Sequence, residues 1–264
     1  MSFEVTEMFK KNWGSSPSFE DIMALEGDMY RQVARRKTFK FSVNGAEYFA
    51  KIHNGVGWKE IFKNLLMGRK PVVSAVNEFD AINALTNLDV NTMTLAAYGQ
   101  RGVNVAELES FVITESLEPA ISLEDYCANW NSNPPPIKLK RALIKRVAKI
   151  TRKLHENGIN HRDLYICHFL LKEGEFDSLV HIDDVQLYLI DLHRVQIRPK
   201  IPMRWQVKDL AALYFSSMDI GLTRQDMLFF IHHYTGKSAS TELRFNSKFW
   251  AEVARKAHKL KAKH

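Results

Sequence analysis

The strongest constraint on how this chain folds is a helix that stops at a glycine and runs directly into a polar loop and an apolar strand. The helix is predicted over residues 138–157, because an apolar face recurs at helical spacing and Gly158 follows at a position typical of helix ends. The loop reads His161-Arg162-Asp163-Leu164-Tyr165-Ile166-Cys167-His168, and the apolar run 169–171 follows it. A second acid, Asp191, ends the next apolar run, so two loops each present a carboxylate.

Two carboxylates on separate loops are what phosphoryl transfer from magnesium-bound ATP requires. One of them, here Asp163, accepts the proton of the attacking hydroxyl, and the other, Asp191, holds Mg²⁺ on the phosphates. The first loop resembles the catalytic loop of kinases, in which His-Arg-Asp is followed five residues later by a metal-binding side chain. That side chain is usually Asn and is His168 here. We expect it at the metal ion or hydrogen-bonded to a phosphate, and we favour the phosphate because imidazole is a mediocre Mg²⁺ ligand.

Composition argues against several other classes of protein. The 264 residues are 45% apolar and 11% aromatic, enough to bury a core, and no run approaches the roughly 18 apolar residues of a membrane span. Residues 1–11 mix charged and apolar side chains, so we expect no signal peptide there. Cys127 and Cys167 make neither a disulfide framework nor a zinc motif, and the expected compartment is the reducing cytosol. The net charge of +7 favours an anionic partner.

An alternating hairpin characterises the N-terminal part of the chain. Apolar residues alternate with polar ones over 39–43 and 48–52, and Asn44-Gly45 between them predicts two strands joined by a type I′ turn. Lys51 lies on the face opposite the apolar residues, either as an ordinary exposed lysine or as the strand lysine that binds the α- and β-phosphates of ATP. Glu78 lies beside the buried stripe of a following helix, where it either pairs with Lys51 or stays at the surface.

A buried strand over residues 110–114 runs into a short polar link, which we predict as the boundary between two lobes. The backbone near Glu115 and Leu117 would hydrogen-bond the adenine edge. The predicted fold class is α+β, a bilobal protein-kinase-like fold. Its N-lobe, residues 1–115, is a small antiparallel sheet with one inward helix, and its C-lobe, residues 116–264, is mainly helical.

The glycine-rich phosphate loop of protein kinases is missing before Lys51. The turn that precedes the first clear strand reads Val33-Ala34-Arg35-Arg36-Lys37. We predict that Arg35 and Arg36 cap the phosphates by charge, where other kinases use backbone N–H groups.

The segment between Asp191 and Asp209 is short and basic. Protein kinases need a longer segment here to dock a peptide, and they carry an Ala-Pro-Glu signature that this chain lacks. Asp209, near the start of a helix predicted over 208–218, either hydrogen-bonds the catalytic-loop backbone or only favours the helix dipole. His161 and Arg162 are expected to hold the loop. The predicted lining for a small anionic acceptor consists of His193, Arg194, Arg198, Lys200 and Arg204.

Two further helices are basic and amphipathic. The first is predicted within residues 57–71, with an apolar stripe flanked by Lys59, Lys63, Arg69 and Lys70, and it either packs on the small lobe or lies at a membrane interface. The helix at 138–157 carries eight Lys or Arg between Lys138 and Lys153 and no acid, which indicates a solvated face or attraction to anionic lipid.

Together these motifs resemble the lipopolysaccharide core heptose I kinase family (RfaP/WaaP), bacterial enzymes with a protein-kinase-like fold. The resemblance covers nearly the whole chain, and its most specific stretches are residues 55–61, 159–171, 190–194 and 208–216. The run from Tyr165 to His168 is much more specific than His-Arg-Asp alone. His168 in place of Asn is therefore a feature shared with this family.

The resemblance implies transfer of the ATP γ-phosphate to the 4-hydroxyl of the first heptose of the inner core, with Mg²⁺ as cofactor. It implies a lipid-linked, anionic sugar acceptor at the cytoplasmic face of the inner membrane. The enzyme is accordingly expected in the cytoplasm, peripheral to that membrane surface, with acyl carrier protein as a further partner. No nucleic-acid partner is expected.

Alternatives from other classes stay open at this point. Another small-molecule, lipid-sugar or protein kinase of the same fold is the nearest, and the short acceptor segment disfavours a protein kinase. A metal-dependent hydrolase would use as ligands His161, Asp163, His168, Asp191 and His193. A non-catalytic basic module would bind anionic lipid or nucleic acid without consuming ATP.

Overall fold

The computed structural model describes residues 1–33, 35–66, 72–173 and 185–263, and the chain divides into two compact units. The first unit comprises Met1–Ala84, Met93–Leu117 and Leu192–Arg194, and the second comprises Leu85–Thr92, Glu118–Asp191 and Val195–His264. Each predicted lobe is one continuous stretch of the chain. In the structure, residues 85–92 belong to the second unit and residues 192–194 to the first. Residues 85–92 belong with the second unit because Asn91 O accepts the Leu189 N–H at 2.9 Å and Thr92 Oγ1 donates to Leu189 O at 2.6 Å.

The first unit is built on an antiparallel sheet. Its elements are β1 (Ser2–Val5), α1 (Glu7–Trp13), α2 (Phe19–Met23), β2 (Asp28–Val33), β3 (Arg36–Val43), β4 (Ala46–Asn54), α3 (Gly57–Leu66), α4 (Val76–Asn87, whose last turn falls in the second unit), β5 (Leu95–Arg101) and β6 (Glu109–Glu115). The six strands formed by the described residues run in the order β1-β5-β6-β4-β3-β2.

One face of this sheet forms an aromatic core. Phe39 pairs directly with Ala50, and Phe41 with Tyr48, so the alternating residues of the predicted hairpin all point to the same buried side. The ring of Phe9 from α1 meets Tyr48 edge-on at 4.9 Å, an arrangement that adds about 1 kcal/mol beyond the buried area. These contacts fix the register of β3 and β4, and with it the direction of Lys51.

Two local features of the sheet depend on glycine: a turn that the sequence predicts and a close contact that only the structure shows. Asn44 and Gly45 have φ values of 48° and 80°, as the predicted type I′ turn requires. Gly99 faces Phe111 across β5 and β6, and a Cβ at Gly99 would lie 2.5 Å from that ring. Only glycine fits there without displacing the aromatic core.

The second unit is mainly helical and carries short strands. Its elements are β7 (Ala120–Ser122), α5 (Leu123–Cys127), α6 (Ile137–Glu156), β8 (Ile159–Asn160), β9 (Phe169–Lys172), β10 (Tyr188–Leu189), β11 (Gln196–Ile197), α7 (Met203–Ser216), α8 (Arg224–Thr235), α9 (Ala239–Phe245) and α10 (Ser247–Lys261). A 3₁₀ turn, Ile166–His168, precedes β9.

Gly158 ends α6 as predicted, and it also fixes the next segment. Its φ is 75°, and a Cβ would lie 1.7 Å from the carbonyl oxygen of Arg198. The Arg198 N–H donates to Gly158 O at 3.0 Å, and β8 pairs with β11 beside it. The basic segment therefore packs backbone to backbone against the end of α6.

Helix α7 begins at Met203, five residues before the predicted start at Lys208. The prediction followed the apolar stripe that begins at Leu210, whereas the helix starts directly after Pro202, its N-cap residue. Arg204 consequently lies in the first turn of α7 rather than in a loop.

The helix predicted within 57–71 is present as α3, and its flanking Arg69 and Lys70 lie outside the described residues. Ile61 is buried, whereas Trp58, Phe62, Leu65 and Leu66 are exposed. None of the helices in the described ranges is both long and apolar enough to span a bilayer.

Candidate active site

The loop after α6 is held by one buried carboxylate. Asp209 on α7 is 0% exposed and accepts the backbone N–H of His161 at 2.7 Å and of Arg162 at 2.8 Å. This is the arrangement predicted for Asp209. Arg162 has a left-handed φ of 75°, a conformation that costs a non-glycine residue about 1–3 kcal/mol. The two charge-assisted hydrogen bonds to Asp209 offset that cost.

His155 and Tyr234 also support Asp209, and the sequence analysis missed both. The Nε2 atom of buried His155 lies 3.5 Å from Asp209 Oδ2, and its Nδ1 atom lies 2.8 Å from the Tyr234 hydroxyl. Burial, with the nearby Asp209 charge, raises the pKa of Tyr234, so its hydroxyl stays protonated and can donate to His155. His155 falls on the buried stripe of α6, which reads as ordinary core in the sequence.

His161 links the two acidic loops. Its ring is fully buried, and Nε2 donates to the carbonyl of Ile190 at 3.0 Å, one residue before Asp191. Burial lowers the pKa of His161, so the imidazole is neutral. Its predicted role of holding the loop fits this geometry.

His168 lies between the two acids. Its Nδ1 donates to the backbone carbonyl of Asp163 at 2.7 Å, and its Nε2 lies 3.5 Å from Asp191 Oδ2. A neutral His168 with the proton on Nδ1 directs the Nε2 lone pair toward the Asp191 side. The pair thus offers one nitrogen and one carboxylate, while a protonated His168 would instead donate from Nε2.

Asp191 has a left-handed φ of 61° at the end of β10, directly after Ile190, whose N–H donates to His168 O at 3.0 Å. Non-glycine residues in this conformation cluster at functional sites, because the surrounding structure must hold them there. Across the described residues, no group of three or more His, Cys, Asp or Glu is arranged to hold a metal ion. The Asp191 carboxylate is the kind of oxygen ligand that Mg²⁺ prefers, and Mg²⁺ commonly takes its other ligands from phosphates and water.

In the first unit, Lys51 and Glu78 form the predicted ion pair. Lys51 Nζ lies 2.6 Å from Glu78 Oε1, and the Glu78 side chain is only 3% exposed. The start of α4 is fixed on the sheet because the Ala75 N–H donates to buried Ser110 Oγ on β6 at 3.0 Å. The Lys51 side chain is 24% exposed, so its ammonium group is positioned by Glu78 and still accessible.

Several predicted residues of the first unit surround one buried imidazole. Burial, together with the charges of Arg36, Lys51 and His193, lowers the pKa of His53 to about 3. Arg36 pairs with His53 across β3 and β4, while exposed Arg35 accepts the Asn54 N–H through its backbone. This part of the first unit is strongly electropositive, which suits phosphates.

The predicted adenine link begins where β6 ends. The N–H of Glu115 donates to Thr94 O at 2.9 Å, and the N–H of Ser116 donates to Glu47 O at 2.9 Å. Leu117 is buried and is the last residue of this part of the first unit.

The predicted acceptor residues are divided between the two units. His193 and Arg194 belong to a 3₁₀ turn, Leu192–Arg194, of the first unit. Arg198 and Arg204 belong to the second unit, where the Arg198 guanidinium donates to Asn160 Oδ1 and Gln196 Oε1. Arg198 therefore has a structural partner that the sequence did not indicate.

Comparison with known proteins places the chain in a family. The profile of the lipopolysaccharide kinase (Kdo/WaaP) family matches residues 20–234. The chain belongs to this family. It is 46% identical over 260 residues to the lipopolysaccharide core heptose(I) kinase WaaP of Pseudomonas aeruginosa, covering 98% of this chain and 96% of the relative. It is 47% identical over 233 residues to the protein of that name from Escherichia coli strain K12, covering 88% and 87%.

A solved structure described as WaaP in complex with acyl carrier protein is similar over 98% of this chain and 99% of that one, with 43% identity and a TM-score of 0.83. The resemblance, the kinase-like mixed α/β fold and the phosphotransferase class predicted from the sequence are therefore confirmed. The roles of individual residues stay predictions.

Proposed function

We propose that this protein phosphorylates the first heptose of the lipopolysaccharide core, using ATP. The observation that carries the proposal is the likeness, over nearly the whole chain, to relatives named heptose(I) kinases. It is supported by two acids, Asp163 and Asp191, on loops that His161, His168 and Asp209 hold in place. The 4-hydroxyl of the heptose is the proposed acceptor atom.

The proposed reaction transfers the γ-phosphoryl group of ATP to the acceptor hydroxyl, whose proton passes to Asp163, and ADP leaves. Mg²⁺, when bound, neutralises charge that develops on the phosphates. Asp191 would hold that ion, with His168 beside it or hydrogen-bonded to a phosphate. Lys51, positioned by Glu78, would bind the α- and β-phosphates.

The two units have separate proposed tasks. We infer that the first unit binds the nucleotide, with Arg35 and Arg36 toward the phosphates and the backbone near Glu115 and Leu117 toward adenine. The second unit would carry the acceptor chemistry. The proposed acceptor-binding cations are His193, Arg194, Arg198 and Arg204.

The hydrolase alternative requires His161 and His168 as metal ligands. Within the part of the chain that the structure describes, no group of three or more His, Cys, Asp or Glu is arranged to hold a metal ion, and the second nitrogen of His161 is buried. This arrangement favours the kinase, in which His161 is a positioning residue.

The decisive experiment uses Asp163→Asn. The variant is incubated with ATP and core lipopolysaccharide from a strain lacking this gene, and the phosphorylated sugar is located by mass spectrometry. Loss of the general base should lower the turnover rate by roughly 10²–10⁴-fold while ATP still binds. Asp219→Asn, at an exposed aspartate, is the matched control and should retain full activity. Turnover of Asp163→Asn close to that of the wild type would refute the assignment.

We also propose a membrane-associated location at the cytoplasmic face of the inner membrane. Its support is α3, whose exposed Trp58, Phe62, Leu65 and Leu66 are accompanied by Lys59 and Lys63.

Acyl carrier protein is a further proposed partner, because the similar solved structure is described as a complex with it. The second unit contains an apolar cavity of about 280 Å³ that could accept a carried acyl chain. Its lining includes Leu143, Val147, Leu210, Phe230, Trp250 and Ala254.

Filling this cavity tests the proposal. Ala254→Trp should weaken binding of acyl-loaded carrier protein at least about tenfold in calorimetry, because the cavity no longer accepts the chain. The matched control is Ala251→Trp, at an exposed position on the same helix, α10. Equal affinities of the two variants would contradict the cavity as the acyl site.

A further inference from the structure

Four cationic side chains surround one indole ring in the second unit. The guanidinium carbons of Arg162, Arg198 and Arg204 and the ammonium nitrogen of Lys208 lie 5.5, 5.7, 5.4 and 5.4 Å from the centre of the Trp205 ring. Any two of these charges are therefore separated by at most twice the longest of these distances. That upper limit is close to the Debye length of roughly 10 Å at 0.1 M salt, so pairs nearer than this limit still repel each other. We call these five residues the Trp205 cluster.

The indole ring does not balance four charges. A ring attracts a cation weakly through each of its two faces. Residues 192–208, which supply three of the four cations, contain neither Asp nor Glu, while Asp163 and Asp209 adjoin Arg162 and Lys208 in sequence. The first turn of helix α7 has no acidic residue and no side-chain cap. Arg204 lies in that turn, at the positive end of the helix dipole, where cations are unfavourable.

Two buried N–H donors at the cluster lack a hydrogen-bond partner among the described residues. They are Trp205 Nε1 and Asn160 Nδ2. Asn160 is 0% exposed, and its amide lies at the cluster because its Oδ1 accepts the Arg198 guanidinium. A buried donor without a partner is costly, and both groups can only donate. A ligand that satisfies them must accept hydrogen bonds, which an anionic oxygen does.

We propose that the Trp205 cluster and Asn160 bind an anionic oxygen group, a phosphate or carboxylate, of the acceptor substrate. Arg162 directly precedes Asp163, so a group bound at the cluster would anchor the acceptor beside the proposed general base. The assignment to the acceptor rests on the proposed kinase function, whereas anion binding itself does not. Asn160, Trp205 and Lys208 are thereby positioning residues and take no part in the chemistry.

Direct anion binding is tested on the full chain by NMR. The indole Nε1–H signals of the ¹⁵N-labelled protein are followed during separate titrations with sodium phosphate, sodium acetate and sodium chloride at matched ionic strength. The signal that disappears in Trp205→Phe identifies Trp205. We expect phosphate or acetate to shift this signal saturably and chloride not to do so. A shift with phosphate alone identifies a phosphate site, and a shift with acetate as well identifies a site that also takes carboxylates.

Variants separate this site from simple charge effects. Lys208→Met should weaken the anion-induced shift at least about tenfold in apparent Kd, as expected for loss of a charged partner. Lys259→Gln removes the same charge at an exposed position of α10 and should leave the shift unchanged. Absence of any saturable shift at Trp205, or equal weakening by both variants, would overturn the proposal.

Kinetics test the link to the acceptor. Trp205→Phe and Lys208→Met should each raise the KM for core lipopolysaccharide at least about tenfold, with kcat and the KM for ATP unchanged. Unchanged KM values for the acceptor would overturn its assignment to this site. If anion binding persists but the wild-type protein does not phosphorylate core lipopolysaccharide, the proposed function fails and the anion site stands.

Discussion

At the scale of single residues, the site depends on charges that are buried and paired. Asp209 and Glu78 are both buried carboxylates, and each holds a residue of the proposed chemistry. For both, the sequence offered this role as one of two alternatives, Glu78 from its place beside a helix stripe and Asp209 from its place near the start of a helix. His155 and Tyr234 were not predicted, because a histidine and a tyrosine on buried helix faces look like core in a sequence.

Glu78→Gln tests the residue scale. The amide keeps the shape of the side chain but removes the charge that positions Lys51, so kcat/KM for ATP should fall at least about tenfold, or roughly 1.4 kcal/mol. Steady-state kinetics with varied ATP measure it.

Glu7→Gln is the matched control for this variant. The pair Lys10–Glu7 has nearly the same separation, 2.7 Å, but Glu7 is 89% exposed. Such exposed pairs contribute little, so the control should behave as the wild type. If Glu78→Gln keeps wild-type kcat/KM for ATP, Glu78 does not position Lys51 for the nucleotide.

At the scale of elements, the hairpin β3–β4, the long helix α6 and the helix α3 were all predicted from periodicity. The start of α7 was not, because Pro202 and the first turn lie outside the apolar pattern. Periodicity also does not show which apolar stripes are buried against the rest of the protein. In α3 only one side packs on the first unit, since Ile61 is buried while Phe62 and Leu66 are 57% and 89% exposed.

The double variant Phe62→Ser/Leu66→Ser tests the proposed membrane contact of α3. Removing two apolar side chains from an interface should weaken binding to vesicles roughly 10- to 100-fold, because each side chain is only partly buried there and contributes less than the roughly 1.5–3 kcal/mol of full burial. The measurement is flotation with vesicles containing phosphatidylglycerol, compared with vesicles of phosphatidylcholine alone.

Phe245→Ser is the control for this experiment, because Phe245 on α9 is also exposed, at 75%. It should leave flotation unchanged. Equal flotation of the α3 double variant and the control would exclude α3 as the membrane contact.

At the scale of the whole molecule, each unit encloses a neutral imidazole. Burial lowers the pKa of His53 in the first unit and of His161 in the second. The unfolded chain therefore takes up these protons at a higher pH than the folded protein does. The stability that each group contributes is present above about pH 6.5 and is lost as the pH falls toward its folded pKa.

His53→Gln should make the protein less sensitive to acid. For His53 the window extends from the ordinary histidine pKa of 6.5 down to about 3, with a slope of up to about 1.4 kcal/mol per pH unit. Melting temperatures measured at several pH values from 7 to 4 should fall less steeply in the variant. His258→Gln, at an exposed histidine, should keep the wild-type slope. A wild-type slope in His53→Gln would show that His53 is not the group responsible.

The sequence by itself determined what depends on neighbours along the chain: the Asn-Gly hairpin, the end of α6 at Gly158, the two acidic loops and the family resemblance. These follow from backbone preferences and short spacings, which act over a few residues. Only the tertiary structure decided which distant side chains meet. Asn160 and Trp205, the cavity lined by α6, α7 and α10, and the exposure of α3 depend on how elements pack. Packing depends on surfaces that several segments form together, so it cannot be predicted from any one segment alone.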